Sequence, residues 1–205
     1  MPELPEVEVV CQSLRTVLLG RRIMDFEAYL PKLLKEPAGD SAYFKEHLTG
    51  KAITAVTRRG KYILIHCEAD EILTVHLRMT GKLLYTEREN PSGKHVHIIL
   101  TLDDGHDLRF DDVRQFGAFY LTKASELGRV EGLKALGAEP LEEAFTRECL
   151  KQLMAGKKQK LKAFLLDQHN IAGIGNIHQL LHSNRIQGQG HFHFSAVDTA
   201  FQLPQ

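Results

Sequence analysis

Between residues 22 and 122 the chain breaks into seven short runs rich in β-branched and aromatic residues, and no other feature limits the fold as strongly. The runs are RIMDFEA (22–28), AITAVTRR (52–59), KYILIHC (61–67), ILTVHLRM (72–79), KHVHIILTL (94–102), DLRF (107–110) and GAFYLT (117–122). Each has strand length, and turn signals such as Arg59-Gly60, Pro91-Ser92-Gly93 and Asp104-Gly105 separate them. Many short strands at this spacing predict a β-sandwich. Ahead of them, PEVEVVCQSLRTVLLG sets Val7, Val10, Leu14, Val17 and Leu18 at three- and four-residue steps. That is the apolar stripe of an amphipathic helix, with Gly20 as its stop.

The texture changes from about residue 124. Strand runs cease, and Leu133, Leu136, Leu141, Leu150, Leu153, Leu161, Leu165 and Leu166 recur at helical spacing. A boundary near 122–135 is expected, between an N-terminal β-sandwich domain with its leading helix (1–125) and a helical domain (130–205). The fold class is therefore α+β. The tetrapeptide GIGN at 173–176 interrupts the helical region; its two glycines suit a tight turn between helices, with Asn176 heading the next one.

Charge is balanced overall, with 26 basic and 26 acidic residues. The basic groups are nevertheless segregated. Lys51, Arg58, Arg59 and Lys61 meet no acid within 51–62, and residues 151–190 set Lys151, Lys157, Lys158, Lys160, Lys162 and Arg185 against Asp167 alone. Such segregation can line a basic groove, or can be no more than solvated lysines on helix faces. Cys11, Cys67 and Cys149 form no C-x-x-C pair, which fits reduced thiols and leaves no four-cysteine zinc site in this chain. His182, His191 and His193 lack a nearby cysteine or carboxylate partner, so no bound metal is expected. No run reaches the roughly 18 apolar residues of a membrane span, and MPELPEVEVV has neither part of a secretory signal. A soluble, cytosolic protein is expected.

The N-terminus carries candidate chemistry. Removal of Met1 would expose Pro2 as a free secondary amine, whose pKa near 8 leaves an appreciable nucleophilic fraction at neutral pH. Attack on a sugar C1′ would form an iminium ion, an electron sink that permits loss of the flanking phosphates. Glu3 and Glu6 set carboxylates beside that amine. Equally, Pro2 and Pro5 can simply open a helix whose positive end favours acids.

Five motifs bear on that choice: MPELPEVE at the start, RRGKY (58–62), HLRMTGKL (76–83), DVRQFG (112–117) and AGIGNI (172–177). Their identity and order resemble the formamidopyrimidine-DNA glycosylase/endonuclease VIII family, over nearly the whole chain. The resemblance implies Pro2 as nucleophile, Glu3 as the acid/base that assists opening of the deoxyribose ring, and Glu6 as a further acid near the site. It implies a catalytic N-terminal domain (1–125) and an incomplete helix–two-turn–helix DNA-binding domain (130–205), with Lys61 and His76 as ligands of phosphates around the lesion and Asn176 as a phosphate ligand at a helix start. Met79, Arg114 and Phe116 would fill the gap left by an extruded nucleotide, with Asp112 orienting Arg114. On residue type alone, Lys61 is equally an edge-strand lysine, and Met79 and Phe116 are core side chains.

The implied function is base-excision repair by a bifunctional DNA glycosylase/AP lyase. It would remove oxidised purines (8-oxoguanine, formamidopyrimidines) through a proline Schiff base and β,δ-elimination. The implied partner is double-stranded DNA containing oxidised bases or abasic sites, met by a monomer without cofactor in a bacterial-type cytoplasm, associated with the nucleoid. The chain departs from the family after GNI, where HQLLHSNRIQGQG replaces a tyrosine and an acidic stretch. SAVDTAFQLPQ (195–205) then ends where a further helix would begin, so the family's zinc finger is expected to be absent and the DNA clamp incomplete. Two other readings are a catalytically weak or inactive damaged-DNA-binding remnant, and an N-terminal-proline enzyme acting on small carbonyl compounds. The latter has no use for Arg114, Phe116 or the GIGN turn.

Overall fold

A computed structural model describes residues 1–176. Helix α1 (Leu4–Leu18) buries Val7, Leu14 and Leu18 of the expected stripe together with Cys11, while Val10 and Val17 are only partly buried against the same core. Gly20 follows at φ +79, a left-handed geometry that glycine adopts without steric cost, and its amide donates to Ile53 O at 2.9 Å. The chain then forms β1 (Ile23–Ala28), a 3₁₀ turn (Pro31–Leu33), β2 (Leu34–Glu36) and α2 (Ser41–Leu48), whose first turn is capped by the Asp40 carboxylate accepting from Tyr43 N. Seven strands follow: β3 (Ile53–Arg59), β4 (Tyr62–Cys67), β5 (Glu71–His76), β6 (Lys82–Glu87), β7 (Val96–Leu102), β8 (His106–Asp111) and β9 (Ala118–Lys123).

They make two sheets, ordered β1-β7-β8-β6 and β2-β9-β5-β4-β3. The core lies between them. Phe26, Ile98, Leu100, Leu108 and Phe110 from one sheet are buried in the same cluster as Ile63, Ile65, Leu73, Val75, Phe119 and Leu121 from the other. Phe110 and Phe119 meet edge to face with ring centroids 4.9 Å apart, joining the sheets. Each such side chain contributes about 1.5–3 kcal/mol through burial.

The five-stranded sheet is covered on its second face as well. Leu64, Thr74 and Tyr120, cross-strand neighbours on that face, are all buried, and every residue of β5 is buried, His76 at its end keeping 6% exposure. A second 3₁₀ turn (Ala124–Arg129) buries none of its own residues, but the segment after it shares that burial: Val130 and Leu133 are enclosed, and Tyr62 OH donates to Glu131 O at 2.8 Å. A side chain at Gly132 would meet Tyr62 OH at 2.7 Å, so this approach needs glycine.

Beyond the sandwich come α3 (Arg147–Met154), capped by Thr146 accepting from Cys149 N, and α4 (Leu161–Leu166). Here the leucine spacing misleads. Leu133, Leu136 and Leu141 lie in turns and irregular chain rather than a helix, because Gly132, Gly137 and Pro140 interrupt the ladder. Gly137 packs so tightly that a Cβ would stand 2.3 Å from the carbonyl oxygens of His169 and Asn170. Ala138 N donates to Asn170 O and Ala172 N to Ala138 O, a short parallel bridge within this region.

By internal packing the chain divides into one unit of Met1–Pro2 with Glu6–Lys134, and another of Glu3–Pro5 with Ala135–Gln205. The 3₁₀ turn and Val130–Lys134 thus go with the sandwich, and three N-terminal residues with the helical unit. Among the described residues, no helix is long and apolar enough to cross a membrane. The helix expected after Asn176 and the histidines at 182, 191 and 193 lie outside the described residues.

Candidate active site

Glu3, directly after Pro2, is 4% exposed. Within its unit it is seated against the glycine-rich turn. The Leu4 amide donates to Gly173 O at 3.1 Å, and Gly173, at φ +82, has no room for a Cβ, which would fall 2.5 Å from Leu4 Cδ1. A Cβ on Gly175 would stand 2.1 Å from the Glu3 carboxyl carbon. Gln168 braces this turn from inside, accepting from Gly173 N at 2.8 Å and donating to Ile174 O at 2.8 Å. Sequence reasoning missed Gln168; an amide side chain just ahead of a Gly-x-Gly turn was the available signal. Pro2 is half-buried, while Glu6, in the first turn of α1, and Asn176 are exposed.

Lys61 stands in the two-residue turn between β3 and β4, where Arg59 faces Tyr62 and Gly60 takes φ +55. Its side chain is not the solvated edge lysine that residue type allows, since Lys61 is 8% exposed. His76 belongs with it. Across the β4–β5 ladder His76 faces Tyr62, ring edge to ring face at 4.6 Å. Burial, with the nearby Arg78 and Lys61 cations, pushes the His76 imidazole down to about 3. Its Nδ1 accepts from Arg78 N at 2.9 Å, which leaves the proton of the neutral ring on Nε2. His76 can therefore offer a neutral N–H donor, not a positive charge.

Met79, Arg114 and Phe116 sit on two loops held together by one carboxylate. Asp112 is 0% exposed and accepts from Thr80 Oγ1, from Phe116 N and Gly117 N at 2.8 Å each, and from Arg114 N at 3.2 Å. Burial works to raise the Asp112 pKa, but the hydrogen bonds from Thr80 and the three amides together hold it below its usual value. Asp112 thus orients the backbone of Arg114. Gly117 has Phe110 at its back, where a Cβ would come within 2.3 Å of the ring, so the loop cannot recede inward. Gln115 takes φ +57 and accepts from Lys32 Nζ at 2.9 Å. The outcome is that Met79 (44% exposed) and Phe116 (51%) stand in solvent, with the Arg114 guanidinium stacked 4.8 Å over the Phe116 ring. They are not core residues.

Among the described residues, no group of three or more His, Cys, Asp or Glu side chains could hold a metal ion. The formamidopyrimidine-DNA glycosylase N-terminal domain matches residues 1–119 and its H2TH domain matches 136–192. The chain belongs to the formamidopyrimidine-DNA glycosylase family. It is 46% identical to the formamidopyrimidine-DNA glycosylase of Pelotomaculum thermopropionicum, over 91% of this chain and 67% of that protein. To that of Bacillus subtilis it is 41% identical, over 87% of this chain and 64% of the relative. Among solved structures it resembles the Lactococcus lactis family member in complex with a FAPY-dG containing DNA (TM-score 0.78, 33% identity, 86% of this chain and 65% of that one). The same protein bound to an abasic site containing DNA matches with TM-score 0.78 at 34% identity, over 86% of this chain and 64% of that one. The chain spans about two thirds of the length of these family members.

Proposed function

We propose that this protein is a DNA glycosylase/AP lyase of base-excision repair, acting on duplexes with oxidised purines or abasic sites. The observation that carries the reading is the outward presentation of Met79, Arg114 and Phe116 by a fully buried carboxylate. Single exposed apolar side chains are common, but here two of them, one stacked under a guanidinium, stand on loops tied to the same buried carboxylate, and a base stack is a surface such a group fits. Base chemistry in a duplex requires extrusion of the nucleotide, and the gap must be filled. Arg114 supplies donors for the base left without a partner.

After removal of Met1, the Pro2 nitrogen attacks C1′ and the glycosidic bond breaks, its electron pair leaving with the base, which takes up a proton. The buried Glu3 carboxyl delivers a proton to the ring oxygen, and the sugar opens to an iminium ion on Pro2. Loss of a C2′ proton into that electron sink expels the 3′ phosphate. A second elimination expels the 5′ phosphate, and hydrolysis frees the proline. Lys61 and the neutral His76 N–H hold phosphates beside the lesion. Nothing in this sequence needs a cofactor.

Borohydride trapping on an oligonucleotide with an abasic site tests the reading. The processed chain gives a covalent adduct that disappears in Pro2→Gly. Folded, processed protein that binds the duplex without adduct or nick would show a DNA-binding member without catalysis.

A further inference from the structure

Glu8 has no role so far, yet it accepts two guanidinium groups. Arg15 donates from Nη1 to Glu8 Oε1 at 3.0 Å, and Arg58 from Nε to Oε2 at 2.8 Å. The Arg58 and Glu8 side chains are 6% and 15% exposed, so this pair lies largely out of water. The other edge of Arg58 is also used: its Nη1 donates to Gly60 O at 3.0 Å. That carbonyl belongs to the rigid peptide plane that contains the Lys61 nitrogen. Two further bonds tie the same strand end to α1, from Arg15 Nε to Val56 O at 2.7 Å and from Cys11 Sγ to Thr57 O at 3.7 Å.

A buried ion pair contributes little net stability, because desolvation offsets most of the attraction. What it supplies here is direction. The guanidinium is a flat, rigid fork, so aiming Nε at Glu8 decides where Nη1 points. A lysine at 58 could not do both.

We propose that Glu8 and Arg58 are positioning residues for Lys61: Glu8 orients the Arg58 fork, and the fork holds the Gly60–Lys61 peptide so that the Lys61 ammonium meets a DNA phosphate. This rests on the reading of Lys61 as a phosphate ligand.

The test is binding of the full chain to a duplex carrying a tetrahydrofuran abasic analogue, from about 50 to 200 mM salt. Lys61→Met lowers the slope of log affinity against log salt by about one, the signature of a lost phosphate contact. Glu8→Gln lowers it in the same way and weakens binding, although it makes the chain one charge more positive and charge alone would strengthen binding. In the Lys61→Met background Glu8→Gln changes affinity by less than about twofold, because both act on one contact. Arg58→Lys, which keeps the charge but loses the fork, behaves like Glu8→Gln and provides a second variant if one of them misfolds by circular dichroism. Glu8→Gln binding as tightly as the parent, or losing as much in the Lys61→Met background, overturns the proposal. A Lys61→Met chain with an unchanged slope overturns it together with the assignment of Lys61. A parent chain that binds with the expected slope but forms no trapped adduct defeats the enzymatic reading and leaves this one standing.

Discussion

The amide of Leu4 donates to the carbonyl of Gly173 at 3.1 Å, joining residues 169 positions apart in the sequence. The bond fixes the backbone one residue beyond Glu3 and two beyond Pro2. It brings a glycine turn, unremarkable in itself, into contact with the proposed acid.

Gly175→Ala tests that contact. The new Cβ would fall 2.1 Å from the Glu3 carboxyl carbon, so the acid must move. Displacement by about 1 Å is expected to slow single-turnover cleavage by about 100-fold, with a stability loss of about 1–3 kcal/mol. Cleavage rate and thermal melting, measured side by side, separate the two. A rate within a few-fold of the parent would show that Glu3 needs no such seat.

Asp112→Asn should loosen the paired loops. The neutral amide keeps one acceptor oxygen for four donors, and lost bonds to a buried charge cost about 1.5–3 kcal/mol each. Because the folded pKa of Asp112 is lowered, its contribution is complete above the unfolded carboxylate value and fades as pH falls through the lower folded value. The melting temperatures of parent and variant therefore converge in acid. A gap that stays constant down to strongly acidic pH would contradict this.

His76 should remain neutral across the working range. With the imidazole at about 3 when folded and near 6.5 when unfolded, only the unfolded chain binds the proton between those values. Stability is thus unaffected above pH 6.5 and falls as pH drops toward 3. Imidazole NMR signals of His76 should show no inflection between pH 5 and 8, and His76→Gln should be less sensitive to acid than the parent. An inflection near 6.5 would mean a solvated ring and a different site.

Met79→Ala and Phe116→Ala should separate stability from binding. Both side chains are exposed, so unfolding should change by no more than about 0.5 kcal/mol. If each returns about 1.4 kcal/mol of the unstacking cost, affinity for a duplex with an extruded nucleotide falls about tenfold. Equal losses on undamaged duplex would sink the wedge assignment.

Period and residue type made much of this protein legible from the chain alone. The α1 stripe and seven of the nine strands follow from local spacing, because helix and pleat impose it on any chain that must bury one face. The five motifs announced the family. What only the folded chain decided depends on distant partners. The edge strand β6 carries a weak alternation, and β2 is three residues long, paired in parallel with β9, so neither stands out locally. The leucines at 133, 136 and 141 kept a helical spacing that Gly132, Gly137 and Pro140 override. Whether Lys61 is sheltered, Phe116 exposed or His76 neutral depends on what packs against each from elsewhere in the fold. Residue type states what a side chain can do; burial and neighbours, which are properties of the assembled chain, select among those possibilities.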